Sequence, residues 1–323
     1  MNKIRINPPY LINIGLIIIS MLASIIGIEL TGRFLGLGTP LLYESDHIVG
    51  YRPRPSQAIK RGNGARTTID KEGFRVAISS QNNHIDVPIL FIGDSVTFGG
   101  TSIDDGNIFS SILCENKKEQ NCINGAVNGW GTANMGRLIS NINLYTKRRI
   151  KKVVLVILPG DEERNLSQLK GSPFWSNYPV GNSSIIELIG VSTKLYIQPL
   201  IESKDSISQN SVSEIEERRL KSKKDNWQEL RAALSKSQIP ITLVITPPLN
   251  WFQNNNKIWL ERNAINQELK ITRKLKSIER VCNLIDFLPK TNKFNSWYVD
   301  NSHLSTLGHI VWAHAIEKCL ALS

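Results

Sequence analysis

The sequence predicts an α/β protein built on a parallel sheet with helices on both faces, preceded by one transmembrane helix. After residue 87, short apolar runs bounded by turn residues alternate about five times with helical stretches. Such alternation indicates βαβ units and a parallel sheet. Small, polar or acidic residues follow four of the predicted strands, at the edge where open α/β sheets build their sites. Near the N-terminus, residues 11–28 form an almost unbroken apolar stretch.

The composition narrows the class of protein. A chain of 323 residues, 41% of them hydrophobic, is long enough for one substantial α/β domain with appendages. Its formal net charge of +11 suits an anionic membrane surface, an acidic polymer or nucleic acid. The sequence lacks zinc-finger spacing, an RNP-like aromatic motif and a zipper-type basic helix, so nucleic acid is not expected as a partner.

The cysteines leave two interpretations open. Cys114, Cys122, Cys282 and Cys319 form no CxxC pair, which argues against a structural zinc site and a thioredoxin motif. Cys114 with Cys122, and Cys282 with Cys319, would bridge in an oxidising compartment. The alternative is four buried thiols.

Residues 1–30 are predicted to be a cytoplasmic tip and a transmembrane anchor in contact with membrane lipid. The 18 residues of 11–28, at about 1.5 Å each, give a helix close to the thickness of a bilayer's hydrocarbon core. Lys3 and Arg5 precede it without an acid, which favours a cytoplasmic N-terminus. Glu29-Leu-Thr-Gly-Arg follows in place of a cleavage site, so an uncleaved anchor is expected rather than a removed signal peptide. A buried core helix is the alternative, against which the terminal position and the flanking charges argue.

Residues 31–86 are predicted to be a linker and small β appendage, and residues 87–323 the main domain. The first of these segments is rich in Pro, Gly, Arg and Asn, and Thr67 to Arg75 alternates partly around a Gly turn. In the main domain, strands are expected at 87–92, 121–124, 151–158, 239–248 and 283–287, helices at 108–119, 135–145, 213–237, 259–278 and 306–322, and a polar surface insertion at 163–212.

Ser95 is the candidate nucleophile. It ends Gly93-Asp94-Ser95 after the first strand, where a tight turn holds a side chain out at the carboxyl edge of the sheet. The alternative is that a Ser or Asp here only caps the next helix. A serine nucleophile needs a base and a group that orients the base. His303 follows Asp300 by three residues, so one turn can direct both side chains into one cleft, with a ring nitrogen facing Ser95.

Two other kinds of site fit the sequence less well. A metal site of His303, His309 and His314 fails because their spacing does not place three ligands on one helix face and HExxH is absent. His309 and His314 are expected to be ordinary residues of the final helix. The glycine-rich loop 125–136 lacks a P-loop ending and the full GxGxxG, so it is interpreted as a source of a backbone N–H for an oxyanion. No metal and no cofactor is expected.

Four sequence blocks follow one another along residues 87–320: Gly93-Asp94-Ser95, Asn124 with Gly129, Leu158-Pro-Gly-Asp161 and Asp300-x-x-His303. In their order and rough spacing they resemble the SGNH or GDSL-type serine hydrolases. The resemblance implies a flavodoxin-like three-layer α/β/α sandwich and a Ser95–His303–Asp300 triad. It also implies an oxyanion hole lined by the backbone N–H groups of Ser95 and Gly129.

One residue departs from the family pattern. The family usually has an asparagine as a third oxyanion donor, and the aligned position here is Asp161. An ionised carboxylate donates no hydrogen bond and would repel the oxyanion. Asp161 is therefore protonated, serves another role or is aligned wrongly. Losing one such donor costs about 10²–10³ in rate, so modest activity or an unusual substrate is expected.

The resemblance implies a serine esterase that works through an acyl-enzyme. The anchored layout also resembles envelope members of the family that add or remove acyl groups on polysaccharides. An acyl-ester small molecule or an O-acylated polysaccharide is therefore the expected substrate, and the catalytic domain is expected outside the cytoplasm, periplasmic or extracellular. The alternatives are an O-acyltransferase with the same triad and a non-catalytic protein that binds acidic glycan through its basic surface. Asp161 favours the binding protein and the intact triad residues disfavour it.

Overall fold

The structure is a computed structural model of the chain and describes residues 8–76, 87–116, 121–166, 183–192, 212–252, 256–291 and 293–321. The expectations for Lys3 and Arg5, for 77–86 and for most of the insertion at 163–212 lie outside the described residues.

The described elements alternate as an α/β chain. The strands are β1 (Tyr43–Asp46), β2 (Gly50–Pro53), β3 (Gln57–Lys60), β4 (Arg66–Ile69), β5 (Arg75–Val76), β6 (Ile89–Ile92), β7 (Cys122–Asn124), β8 (Lys152–Ile157), β9 (Ile241–Ile245) and β10 (Ile278–Asn283). The helices are α1 (Pro8–Phe34), α2 (Ser95–Phe98), α3 (Phe109–Asn116), α4 (Thr132–Ser140), α5 (Ile142–Tyr145), α6 (Ser184–Ser192), α7 (Val212–Lys236), α8 (Asn256–Thr272) and α9 (Thr306–Ala321).

Five parallel strands form the centre of an eight-stranded sheet. They lie in the order β7-β6-β8-β9-β10, which is the 2-1-3-4-5 order of flavodoxin-like folds when only these five are counted. The nucleophile strand β6 is central: Leu90 pairs with Ile123 on one side and Val153 on the other. The predicted α/β fold with a parallel sheet is confirmed.

Helices cover both faces of this sheet. Alternate residues of a strand point to opposite faces, and those of β6 enter two different hydrophobic clusters. Leu90 packs in the cluster that contains Trp227 of α7. Phe91 packs in the cluster that contains Phe109 of α3 and Trp312 of α9. These are the three layers of an α/β/α sandwich, and each buried strand reads as a nearly continuous apolar run because both faces are covered.

The last strand differs from its prediction. A strand was expected at 283–287, but β10 is Ile278–Asn283 and pairs parallel with β9. Residues Leu284–Asp286 form a 3₁₀ turn instead. Leu284 and Leu288 are buried in the hydrophobic cluster on the α9 side of the sheet. They are apolar because they pack in this cluster, although neither is part of a strand.

The segment before the parallel strands is folded onto them. β1 and β2 form a separate antiparallel pair. β3, β4 and β5 form an antiparallel extension of the main sheet, joined to it where Arg75 of β5 pairs with Asn124 of β7. This segment therefore shares a sheet with the domain that follows it.

Arg75 joins this extension to the loop behind Ser95. It is fully buried and forms a 2.9 Å ion pair with Asp105. Its Nη atoms donate to the carbonyl oxygens of Phe98, Gly100 and Ile103 at 2.6 to 2.7 Å. One side chain thus donates to three carbonyl groups, one at the end of the nucleophile helix and two in the segment that follows it.

We expect Arg75→Met to lower the free energy of unfolding by about 3–5 kcal/mol, because it leaves Asp105 as a buried charge without its partner. Urea unfolding of the full chain in detergent measures this. Arg66→Met is the matched control: the Arg66 side chain is 61% exposed and lies 3.6 Å from Asp104, so its loss should cost less than about 1 kcal/mol. Equal stability of Arg75→Met and wild type would contradict the assigned role.

Both candidate disulfides are formed. Cys114 pairs with Cys122, joining α3 to β7, and Cys282 pairs with Cys319, joining β10 to α9. The paired Cα atoms are 6.1 Å and 6.2 Å apart, within the range that a disulfide spans. All four cysteines of the sequence are used in this way.

Among the described residues, one helix has the length and composition to cross a membrane. It covers 12–34 with a mean hydropathy of 2.2 and buries none of that window against the protein. The alternative of a buried core helix is therefore wrong, because its apolar side chains face outward. A helix with these properties is a membrane anchor or a signal sequence.

Candidate functional site

Ser95 lies at a sharp turn between β6 and α2. Asp94 caps α2, and its Oδ1 accepts a hydrogen bond from the N–H of Val96 at 2.9 Å. A Cβ at Gly93 would lie 2.2 Å from Thr97 Oγ1 and 2.9 Å from the carbonyl oxygen of Val156, so only glycine fits this turn. The helix cap is thus Asp94, and Ser95 is left as the first helical residue at the carboxyl edge of the sheet.

His303 reaches Ser95 from the loop before α9. Its Nε2 lies 2.9 Å from Ser95 Oγ, and its Nδ1 lies 2.6 Å from Asp300 Oδ2. Asp300 Oδ1 accepts the backbone N–H groups of Ser302 and His303 at 2.7 and 2.8 Å. The structure therefore brings together the three residues that the sequence singled out, in the order serine, imidazole, carboxylate.

The surroundings of Asp300 keep it ionised. Burial raises its pKa, but the backbone N–H groups of His303 and Ser302 and the His303 ring lower it by more, so the net shift is downward. A carboxylate that stays charged can accept from Nδ1–H of His303 and so leave Nε2 free to take a proton from Ser95.

The loop after β7 borders the same edge. Asn124 ties it to the nucleophile helix: its Nδ2 donates to the carbonyl oxygen of Thr97 at 2.7 Å, and its Oδ1 accepts from the N–H of Ala126 at 3.0 Å. Gly129 adopts φ +81, and a Cβ there would lie 2.8 Å from the hydroxyl of Tyr51. The positive φ and the lack of space for a Cβ both favour glycine at this position.

Asp161 is completely buried behind the site. Its Oδ2 accepts from the N–H of Leu158 at 2.9 Å. Its Oδ1 lies 3.0 Å from Arg164 Nη1, as an ion-pair contact without hydrogen-bond geometry. Burial, and then the charge of Asp94, raise the pKa of Asp161 well above its ordinary value. A raised pKa favours the protonated form of Asp161, which is one of the three alternatives that the sequence left open.

Arg164 was not identified from the sequence. Its Nη1 also lies 3.5 Å from Asp94 Oδ2 and donates to the carbonyl oxygen of Trp130 at 3.0 Å. One half-exposed guanidinium thus faces two buried carboxyl groups and the glycine-rich loop. Asp161-Glu-Glu-Arg164 is an ordinary mixed-charge run, so no signal in the sequence distinguishes this arginine.

We expect Asp161→Asn to stabilise the protein at about pH 8. A carboxyl group whose pKa is raised by folding costs stability above its unfolded pKa, and this cost grows as the pH rises through the folded pKa. The asparagine keeps an oxygen for the N–H of Leu158 and removes the charge, so the melting temperature should rise by about 2–4 °C. The gain should shrink as the pH falls toward 3.8, the ordinary value for this group.

Glu163→Gln is the control for this substitution. Glu163 lies in the same 3₁₀ turn, but its carboxylate is partly exposed and pairs with Arg219 at 2.7 Å. Its neutralisation should leave the melting temperature nearly unchanged. A lower melting temperature for Asp161→Asn at about pH 8 would show that the Asp161 charge stabilises the fold, contrary to the direction of its pKa shift.

The two histidines of α9, His309 and His314, lie in surroundings separate from that of His303. His309 is buried, its Nδ1 accepts from the N–H of Phe109 at 3.3 Å, and burial, with Arg75 nearby, lowers its pKa to about 3. His314 lies 3.9 Å from Glu317 on the exposed side of α9. In the described part of the chain, no three His, Cys, Asp or Glu side chains stand together as a metal site.

No family model and no curated protein matches the sequence. Similar solved structures include a member of the lipolytic G-D-S-L family from Veillonella parvula DSM 2008, with 13% identity, a TM-score of 0.41 and coverage of 73% of this chain and 98% of that chain. An acetylxylan esterase from Geobacillus stearothermophilus has 14% identity, a TM-score of 0.42 and coverage of 73% and 95%. At such identities and TM-scores the likeness does not identify a function, so the function is inferred from the site itself.

Proposed function

We propose that this chain is a membrane-anchored serine esterase of the SGNH type. The hydrogen-bonded chain from Ser95 Oγ through His303 to Asp300, with separations of 2.9 Å and 2.6 Å, is the observation that carries the proposal. Each separation lies within hydrogen-bond reach. A nucleophile, a base and an orienting carboxylate in this order can activate a hydroxyl for acyl transfer.

In this proposal Ser95 Oγ attacks the carbonyl carbon of the ester while its proton passes to His303 Nε2. Asp300 holds Nδ1–H and stabilises the imidazolium that forms. The tetrahedral intermediate expels the alcohol, which takes the proton from His303, and the acyl group stays on Ser95. Water then attacks the acyl-enzyme, gives a proton to His303 and releases the carboxylic acid, and the His303 proton returns to Ser95.

The backbone N–H groups of Ser95 and Gly129 are the proposed donors to the oxyanion. Ser95 begins a helix, where backbone N–H groups have no partner within the helix. Gly129 lies in the loop that Asn124 ties to α2. Asp161 is proposed to support this edge through Leu158 and Arg164, and only its protonated form would have a hydrogen to donate.

The proposed substrate is an acyl ester on a large carrier such as an O-acylated envelope glycan. The His303 and Asp300 side chains are 46% and 54% exposed, so the base lies at an open surface that a polymer can approach. Two disulfides favour an oxidising compartment. Together with the apolar α1, they support a catalytic domain held outside the cytoplasm by an uncleaved anchor.

Labelling with a fluorophosphonate probe tests the proposal. The full chain in detergent should gain one adduct by intact mass, mapped to Ser95, because the probe reacts with an activated serine. His303→Ala should abolish the adduct while the circular dichroism spectrum stays unchanged. Absence of an adduct on folded wild-type protein would contradict the proposed esterase and favour the glycan-binding alternative.

A further inference from the structure

The end of α1 is bound to α6, a short helix far along the chain. The Glu29 carboxylate accepts hydrogen bonds from the N–H groups of Ser184 and Ile185, both at 3.2 Å, and from the Ser183 and Ser184 hydroxyls at 2.9 and 3.0 Å. The Ser184 hydroxyl also donates to the Glu29 carbonyl oxygen at 2.8 Å. A residue of α1 therefore accepts hydrogen bonds from the first N–H groups of α6. These groups have no acceptor within α6 itself.

The two helices also touch through a glycine. A Cβ at Gly32 would lie 2.4 Å from Ser184 Oγ, whereas a Cβ at Gly27, just over one turn earlier in α1, would meet nothing within 4 Å. The contact is therefore local to the last turns of α1. If α1 crosses a membrane, α6 begins at the level where α1 leaves the hydrocarbon core.

One side of α6 faces the protein. Glu187 is buried there, and its carboxylate accepts from the N–H of Gly38 and pairs with Arg61 at 2.9 Å. Arg61 in turn donates to the Gly36 carbonyl oxygen at 3.0 Å and to Thr101 Oγ1 at 3.3 Å. Thr101 lies six residues after Ser95, so α6 is connected through two ion-paired side chains to the segment behind the nucleophile.

The opposite side of α6 is apolar and open. Residues of a helix are about 100° apart, so Ile185 and Ile189 lie roughly opposite Glu187. Ile189 is 59% exposed, and Ile186 and Leu188 beside it are 39% and 46% exposed. At the end of α1, Phe34 and Leu35 are also apolar and exposed, by 86% and 59%. Exposed apolar groups that adjoin one another mark an interaction surface.

We propose that α6, with Phe34 and Leu35, is a second membrane-contacting element that lies in the outer interface of the bilayer beside α1. Helices of this kind bury an apolar face about 5–10 Å into the boundary between headgroups and acyl chains. A lipid bilayer is the occupant that the geometry favours, because α6 is hydrogen-bonded to the last turns of α1 and the apolar side chains of α1 are exposed. The inference rests on the proposed anchorage, and it makes α1 a permanent part of the fold, since removing it would leave the start of α6 without Glu29.

Lipid quenching of single labelled cysteines tests this inference. Each variant of the full chain carries one added cysteine, labelled with an environment-sensitive fluorophore and reconstituted in phosphatidylcholine–phosphatidylglycerol vesicles with and without nitroxide-labelled lipid. Ile189→Cys reports on α6, and Ile19→Cys reports on α1. Leu144→Cys is the matched control, because Leu144 is an apolar residue that is 69% exposed on α5.

We expect nitroxide lipid to remove most of the fluorescence at residues 189 and 19 and little at residue 144. Quenching at 19 with residue 189 behaving like residue 144 would overturn the inference while keeping the anchor. Absence of quenching at 19 would overturn the anchor and this inference together. The fluorophosphonate adduct on Ser95 reports on the esterase independently of either result.

A pair of α1 variants tests the contact that Glu29 and Gly32 make with the start of α6. Gly32→Leu should separate α6 from α1 and change the quenching at residue 189, because the added side chain would overlap Ser184. Gly27→Leu should leave that quenching unchanged. Equal quenching at residue 189 in the two variants would overturn the claim that α1 positions α6.

Discussion

Ser95→Ala is expected to lower kcat for ester hydrolysis by roughly 10⁴–10⁶-fold, because alanine removes the oxygen that is proposed to form the acyl bond. The fold should be unaffected, since Asp94, not Ser95, caps α2. Steady-state hydrolysis of a soluble aryl ester by the full chain in detergent measures the loss. Burst kinetics on the wild type would show the acyl-enzyme directly.

Ser102→Ala is the matched control for the nucleophile. Ser102 is an exposed serine seven residues further along the chain, and its carbonyl oxygen, which accepts from Asn63 at 2.9 Å, is kept by alanine. Its kcat should equal that of the wild type. Wild-type turnover by Ser95→Ala would mean that another group forms the acyl-enzyme or that hydrolysis proceeds without one.

Asp300→Asn is expected to lower kcat by roughly 10³–10⁴-fold with little change in KM. The amide nitrogen cannot accept Nδ1–H, so the His303 ring adopts the tautomer that carries its proton on Nε2. Nε2 then cannot take the proton of Ser95. The pKa of Asp300 lies below its ordinary value. The wild-type carboxylate should therefore remain charged, and its contribution to folding stability should stay intact, as the pH falls to 3.8.

Glu317→Gln provides the comparison for Asp300→Asn. His314 and Glu317 are also a histidine and carboxylate three residues apart, at 3.9 Å, but on the exposed side of α9. Neutralising Glu317 should leave kcat unchanged, so that a loss confined to Asp300→Asn is assigned to the site. An unchanged kcat in Asp300→Asn would assign the orienting role to a different group.

The placement of Ser95 could be predicted from the local sequence. Gly93, Asp94 and Ser95 were expected at the end of a strand, and each has a local physical reason there: space for a turn, a helix cap and a first helical position. The last strand shows the limit. Leu284 and Leu288 are as apolar as strand residues, yet they pack against α9, and only the position of α9 distinguishes the two cases.

The fold class could be predicted from the sequence because apolar runs and helical stretches alternate along the chain. The exposed apolar α1 and the pairing of Asp300 with His303 could be predicted because each depends on the spacing of neighbouring residues. Three other contacts could not be predicted from the sequence: the 2.9 Å approach of His303 to Ser95 across 208 residues, the sharing of Arg164 by Asp94 and Asp161, and the binding of Glu29 to α6. These contacts depend on strand order and layer packing. Strand order brings distant chain ends to one sheet edge, and burial then sets which charges must share a partner.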